Sequence, residues 1–168
     1  ATGLDEAGVR DRAILLFLLD TGARVAGVVG LTLANMQLDH KRARVKEKGN
    51  KERLVPLTDL TVMHLRAWLA VRPRGADKFF CSIAPQSYGN ALTPTGIRLM
   101  LKRLQKRAGI DGRINPHSFR HALGRAYLAN GGNAAMLRRV MGHTNVSTTI
   151  NFYVQYEVDE MVDDTLVW

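Results

Sequence analysis

Along residues 11–20 the apolar side chains Ile14, Leu15, Leu18 and Leu19 recur at helical spacing, and Gly22 follows as a stop, which predicts a buried helix. The period then changes. From 36 to 56, MQLDHKRARVKEKGNKERLVP, apolar and polar residues alternate (Ala43, Val45, then Leu54, Val55) around the turn-like DHK and KGNK, predicting a three-stranded antiparallel meander. Helical spacing returns over 58–71, where Thr58 can cap and Leu60, Met63, Leu65 and Trp68 supply apolar contacts. RPRGADKFFCS reads as a linker into a short buried strand, and PQSYGNALTP as a loop. Thr93 and Pro94 begin a helix to Ala108, closed by Gly109; Asn115 and Pro116 begin the next, closed by Asn130, Gly131 and Gly132. Asn133 caps a further helix to Met141, and Ser147 a last short one containing Tyr153. The expected fold class is α+β, a mainly helical domain with a small three-stranded antiparallel sheet.

Length and composition narrow this picture. A chain of 168 residues fits one domain, 1–168, which can bury ~70% of its unfolded surface. Cys81 is the only cysteine, so there is no intrachain disulfide and no cysteine cluster for zinc, which fits a reducing compartment. The longest apolar run, residues 13–19, falls far short of the ~20 needed to span a bilayer. The start ATGLDEAG lacks the basic and apolar regions of a signal peptide. A cytoplasmic, nucleoid-associated protein without a membrane partner is expected.

The net charge of +9 is unevenly placed. Residues 157–168 hold five of the fifteen acidic residues and no basic one, so 1–156 carry 24 basic and 10 acidic side chains, a net +14. That is an electrostatic footprint for a polyanion, most often nucleic acid. Two elements concentrate it. Lys46, Lys48, Lys51 and Arg53 lie at or beside the tip of the second hairpin, which reads either as a solvated loop or as a finger along a DNA groove. The 93–108 helix presents Arg98, Lys102, Arg103, Lys106 and Arg107, a face suited to phosphates or a major groove.

Candidate chemistry gathers in residues 115–153, which hold His117, Arg120, His143 and Tyr153. Two histidines, an arginine and a tyrosine suit the holding and attack of a phosphodiester. Pro116 places His117 and Arg120 near a helix N-terminus, where free amides and the helix dipole favour an anion, and three-residue spacing puts them on one face. The His117 and His121 pair, four apart, is alternatively a zinc half-site, without the intervening Glu of the metalloprotease motif. Arg24, in the tight TGAR turn, is either half of a structural ion pair or a ligand for an anion.

Taken in order, these residues resemble the catalytic domain of the tyrosine recombinase (phage integrase) family, whose signature is Arg, Lys, His-x-x-Arg, His/Trp and Tyr. TGAR supplies Arg24, KGNKERLVPL supplies Lys48, HSFRH supplies His117 and Arg120, MGH supplies His143, and STTINFY supplies Tyr153. The likeness extends from about residue 11 to 156. Two positions depart from the family. The acidic residue usual three positions after the first arginine is replaced by Gly27, and a tyrosine nine residues after the GH histidine would fall on Phe152. Ten residues after, as in other members, stands Tyr153, with a lost hydroxyl at Phe152 as the rival reading.

The resemblance implies DNA cleavage and rejoining through a 3′-phosphotyrosyl link, in site-specific recombination or integration of a mobile element, with no metal or nucleotide cofactor. Arg24 and Arg120 would hold the nonbridging oxygens, whose charge grows in the transition state. His117 would accept the tyrosine proton, Lys48 (or Lys51) would protonate the leaving 5′ oxygen, and His143 would donate to the phosphate. It also implies double-stranded DNA as partner, a homo-oligomer, most simply a tetramer, and a core-binding domain N-terminal to this chain. The acidic tail 157–168 would dock on a neighbouring protomer. A type IB topoisomerase and a degenerate DNA-binding module are the alternative readings.

Overall fold

The computed structural model describes residues 5–46, 49–111 and 114–141. Among these residues six α-helices and three short strands follow in the order α1 (Glu6–Thr21), α2 (Val25–Gly30), β1 (Met36–Gln37), β2 (Arg42–Lys46), β3 (Glu52–Pro56), α3 (Asp59–Val71), α4 (Pro94–Arg107), α5 (Pro116–Ala129) and α6 (Ala134–Met141). The expected α+β class is met. The helix read at 147 and the tail 157–168 lie outside the described residues.

Helix α1 is the spine, packed mainly against α3 and α5. It starts earlier than its apolar period suggests, because Asp5 caps it by accepting from the Gly8 amide at 2.8 Å. Its buried stripe includes Ala13, Ile14, Phe17 and Leu18. Asp11, buried within the helix, accepts from Arg10 at 2.6 and 2.9 Å and from Arg103 of α4 at 2.8 Å, so one carboxylate joins two helices. At the far end of α1, Asp20 accepts from the amide and hydroxyl of Thr58, 2.7 and 2.9 Å away, and so seats the start of α3.

The sheet is the expected meander, ordered β1-β2-β3 with both pairs antiparallel. Ala43 faces Val55 and Val45 faces Arg53 on the side turned to the core, while Leu54 points outward, half exposed. The short buried strand expected around Cys81 does not form: the backbone there makes only isolated bridges, Thr32 with Lys78 and Cys81 with Ala91. Side chains fix the segment instead. Phe79 and Phe80 pack edge-on with centroids 5.0 Å apart, and Phe80 meets Phe17 at 6.1 Å. The Phe79 carbonyl accepts from the Trp68 indole at 2.8 Å, and Arg72 donates to the carbonyls of Phe79, Ala76 and Lys78.

Helices α4, α5 and α6 begin on the caps read from the sequence. Thr93 accepts from Gly96, Asn115 from His117 and Ser118, and Asn133 from Met136. No helix among the described residues is long and apolar enough to cross a membrane.

Candidate active site

The turn after α1 is where distant parts of the chain meet. Gly22 caps α1 with φ 54°, in the left-handed region that favours glycine. A Cβ there would stand 2.9 Å from Leu123 Cδ2 and 3.5 Å from Arg120 Cγ, so the missing side chain also lets α5 come close. Arg120, only 3% exposed, uses that approach. Its guanidinium donates to the Gly22 carbonyl at 2.8 Å and to the Met141 carbonyl at the end of α6. Three helices are thereby pinned around one cation. Two residues past Gly22, Arg24 forms the N-cap of α2 in extended backbone and is exposed.

Arg24 and Arg120 line one open cleft of about 630 Å³ together with Arg98 of α4 and His117 of α5. Ala23, Val25, Ala26, Pro94, Asn115 and Pro116 complete its wall. Three guanidiniums and an imidazole therefore share a cleft, and among the described residues that line it there is no carboxylate. In such surroundings a single phosphate would meet donors from three elements, and arginine's planar fork suits its nonbridging oxygens. Arg98, read from the sequence as part of a basic helix face, thus belongs at the cleft.

His117 is exposed in the first turn of α5, and its ring meets His121 edge-on, centroids 4.7 Å apart. Burial lowers the His121 pKa from its ordinary 6.5, and His117, Arg125 and Arg120 lower it further, so His121 favours its neutral form. Among the described residues no third His, Cys, Asp or Glu completes a metal cluster with this pair. The free amides expected at the start of α5 are spoken for. Asn115 Oδ1 accepts from His117 at 2.8 Å and from Ser118 at 3.2 Å, and Pro116 has no N–H to offer. What remains for an anion is the dipole and the side chains.

The second hairpin divides in two. Arg53, on the core-facing side opposite Val45, donates to the Thr21 carbonyl at 3.0 Å, so it braces the turn that carries Arg24. Lys46 and Lys51 are exposed. Lys48, His143 and Tyr153 lie outside the described residues. On α4, Lys102 and Lys106 are exposed, whereas Arg103 is paired with Asp11, and Arg107 lies beside it in a second cleft.

Gly27 has its own explanation. A Cβ there would stand 2.6 Å from Val45 Cγ1 and 2.9 Å from the Lys46 carbonyl, so β2 occupies the space where the family's acidic side chain would begin. The signal was present in the sequence, as a glycine within an apolar run, but its reason lies in the strand that packs on it.

The chain is similar to known proteins in sequence and in fold. The chain is 32% identical over 153 residues to the tyrosine recombinase XerD of Halalkalibacterium halodurans, covering 88% of this chain and 50% of that protein. It is 34% identical over 148 residues to the tyrosine recombinase XerC of Corynebacterium glutamicum, covering 86% and 46%. The chain thus spans about half the length of these relatives. Among solved structures, the XerA recombinase superposes with a TM-score of 0.76 at 26% identity, over 89% of this chain and 58% of that one. The XerH site-specific recombinase bound to a palindromic difH substrate shares the fold, with a TM-score of 0.78 at 22% identity over 100% and 48%. The model of the phage integrase family matches residues 2–160. With nearly the whole chain matched and its arginines and histidine in one cleft, the chain belongs to the phage integrase family, as a tyrosine recombinase catalytic domain.

Proposed function

We propose that this domain cuts and rejoins DNA strands through a 3′-phosphotyrosyl intermediate, in site-specific recombination that integrates a mobile element. The observation that carries the reading is the cleft in which Arg24, Arg98, His117 and Arg120 face one volume. A scissile phosphate seated there takes its nonbridging oxygens to Arg24 and Arg120, and these contacts strengthen as charge builds on the pentacoordinate phosphorus. Tyr153 attacks phosphorus and its phenolic proton passes to His117. The bond to the 5′ oxygen breaks as Lys48 protonates that oxygen, with Lys51 as the reserve acid. His143 donates to the phosphate. Rejoining is the same step in reverse, with a 5′-hydroxyl as nucleophile, so the phosphotyrosyl bond conserves the energy of the one broken.

Lys46, Lys102 and Lys106 are exposed cations placed to meet the flanking backbone, which makes binding steeply salt-dependent. Two solved structures with this fold, XerH bound to a difH substrate and the Tn1549 transposon integrase in complex with a circular intermediate DNA, support duplex DNA as the partner. The working unit is a tetramer on DNA in the nucleoid, each protomer adding a core-binding domain N-terminal to this one and docking its acidic 157–168 tail on a neighbour.

The test is trapping of the intermediate. The full-length protein is incubated with a pool of nicked suicide duplexes and the products run on a denaturing gel. A covalent adduct is expected, abolished by Tyr153→Phe and kept by Tyr156→Phe. Absence of any adduct would sink the enzyme reading, and relaxation of supercoils without recombinant product would reassign the activity to a topoisomerase.

A further inference from the structure

Helix α4 presents one stripe to solvent. Thr95, Leu99, Lys102 and Lys106 follow at spacings of four, three and four, which places them on a single face, and all are exposed. Arg98 borders this stripe on the side that lines the phosphate cleft, and Arg103, held by Asp11, borders it on the other. Leu99 is the only apolar side chain on it. At 62% it is also the most exposed large hydrophobic side chain among the described residues. A lone exposed leucine ordinarily needs no explanation. This one stands amid a field of cations that repels a basic copy of the same surface and favours an anionic partner. The stripe also adjoins the place where a backbone phosphate would sit.

We infer that Leu99 is a base-reading residue, packing against the C5 methyl of thymine in the major groove. The inference rests on the DNA-cutting reading above. A strand seated in the cleft at Arg98 carries its bases past the next turn of the same helix, and a major groove about 12 Å wide admits an α-helix. Lys102 and Lys106 then face the phosphates, which fixes register but carries no sequence information. On the major-groove edges of the four base pairs the thymine methyl is the apolar group, so a leucine surrounded by cations discriminates for T·A and against the rest. The contact buries about one methyl, which predicts about a fourfold preference.

The experiment selects from duplexes with a randomised core, using the full chain and its Leu99→Ala variant at several salt concentrations. The wild-type chain should enrich thymine at one or two positions, and Leu99→Ala should lose that preference while keeping the others and the salt slope. Uracil placed at the enriched position deletes the methyl alone. It should weaken wild-type binding about fourfold and leave Leu99→Ala binding unchanged. Tolerance of uracil by the wild type, or an equal penalty in both proteins, would overturn the assignment. So would a variant with every base preference intact but altered sedimentation, which would place Leu99 in a protein contact. Salt-sensitive binding without any thymine preference defeats the Leu99 assignment alone, whereas failure to retain any duplex defeats the DNA-cutting reading with it.

Discussion

Two clefts among the described residues are rich in arginine, and they differ in where the carboxylates sit. The cleft of about 630 Å³ at the end of α1 is lined by Arg24, Arg98, Arg120 and His117, with no carboxylate among its described lining residues. The other, about 730 Å³ near the start of α1, is lined by Arg10, Arg12, Arg103 and Arg107 together with Asp5 and Asp11. It is the larger and has one more arginine. Yet Asp11 accepts from Arg10 and Arg103 at once, so much of that charge is spent inside the protein, holding α4 against α1. The number of cations does not make an anion site; the placement of the counter-carboxylate does.

The comparison can be broken most forcefully at Asp11. Asp11→Ala takes the carboxylate from the buried Arg10 guanidinium, which keeps a bond of 3.4 Å to the Cys81 carbonyl, and a loss of about 3–5 kcal/mol in urea denaturation is expected. Variant protein that still folds should gain more in melting temperature from added sulfate than the wild type does, because the second cleft would then lack its own anion. An unchanged sulfate response would show that Asp11 is not what distinguishes the clefts.

Next in size is the contrast between the two arginines of the first cleft. Arg120→Met leaves the Gly22 and Met141 carbonyls without this donor, and about 2–4 kcal/mol of stability should be lost. Arg24→Ala, at an exposed position, should cost less stability than Arg120→Met yet abolish the covalent adduct. Equal stability losses would mean that Arg24 is structural after all. Gly27→Glu, which restores the residue type usual in the family, should cost about 1–3 kcal/mol because its Cβ meets β2. A neutral outcome in thermal melts would mean that the strand yields easily.

The smallest effect is with pH. Burial lowers the pKa of His64, with Arg12 adding to it, and the same cause leads at His121. The unfolded chain therefore binds more protons than the folded one just below the ordinary value of 6.5, and stability falls as pH is lowered through it. Melting temperatures from pH 8 to 5 should decline less steeply for His64→Gln/His121→Gln than for the wild type. Parallel curves would remove these histidines from the account.

What could be read in the sequence was what hydrogen bonds settle locally. Thr58, Thr93, Asn115 and Asn133 cap the helices they were expected to cap, since a cap needs only the next three residues. The first turn of α1 escaped because Glu6, Ala7 and Gly8 carry no apolar period, and the six-residue α2 is too short to show one. Phe79, Phe80 and Cys81 look like a strand because they are buried, but aromatic packing and the Trp68 and Arg72 side chains bury them without a ladder. Arg53 was read as part of a basic tip, although strand parity already put it on the side of Val55. The motif residues Arg24, His117 and Arg120 were legible as types. That Arg120 is pinned by carbonyls of α1 and α6 depends on tertiary approach, and spacing carries no trace of it.

The bond from Arg120 to the Gly22 carbonyl joins residues 98 apart in the chain. At roughly 5–20 residues per second on the ribosome, the first cleft is missing for roughly 5–20 s after Gly22 is made. Synthesis itself thus sets the earliest moment at which Arg120 can close the first cleft, and a truncated or nascent chain ending before α5 carries Arg24 and Arg98 without the cleft they line.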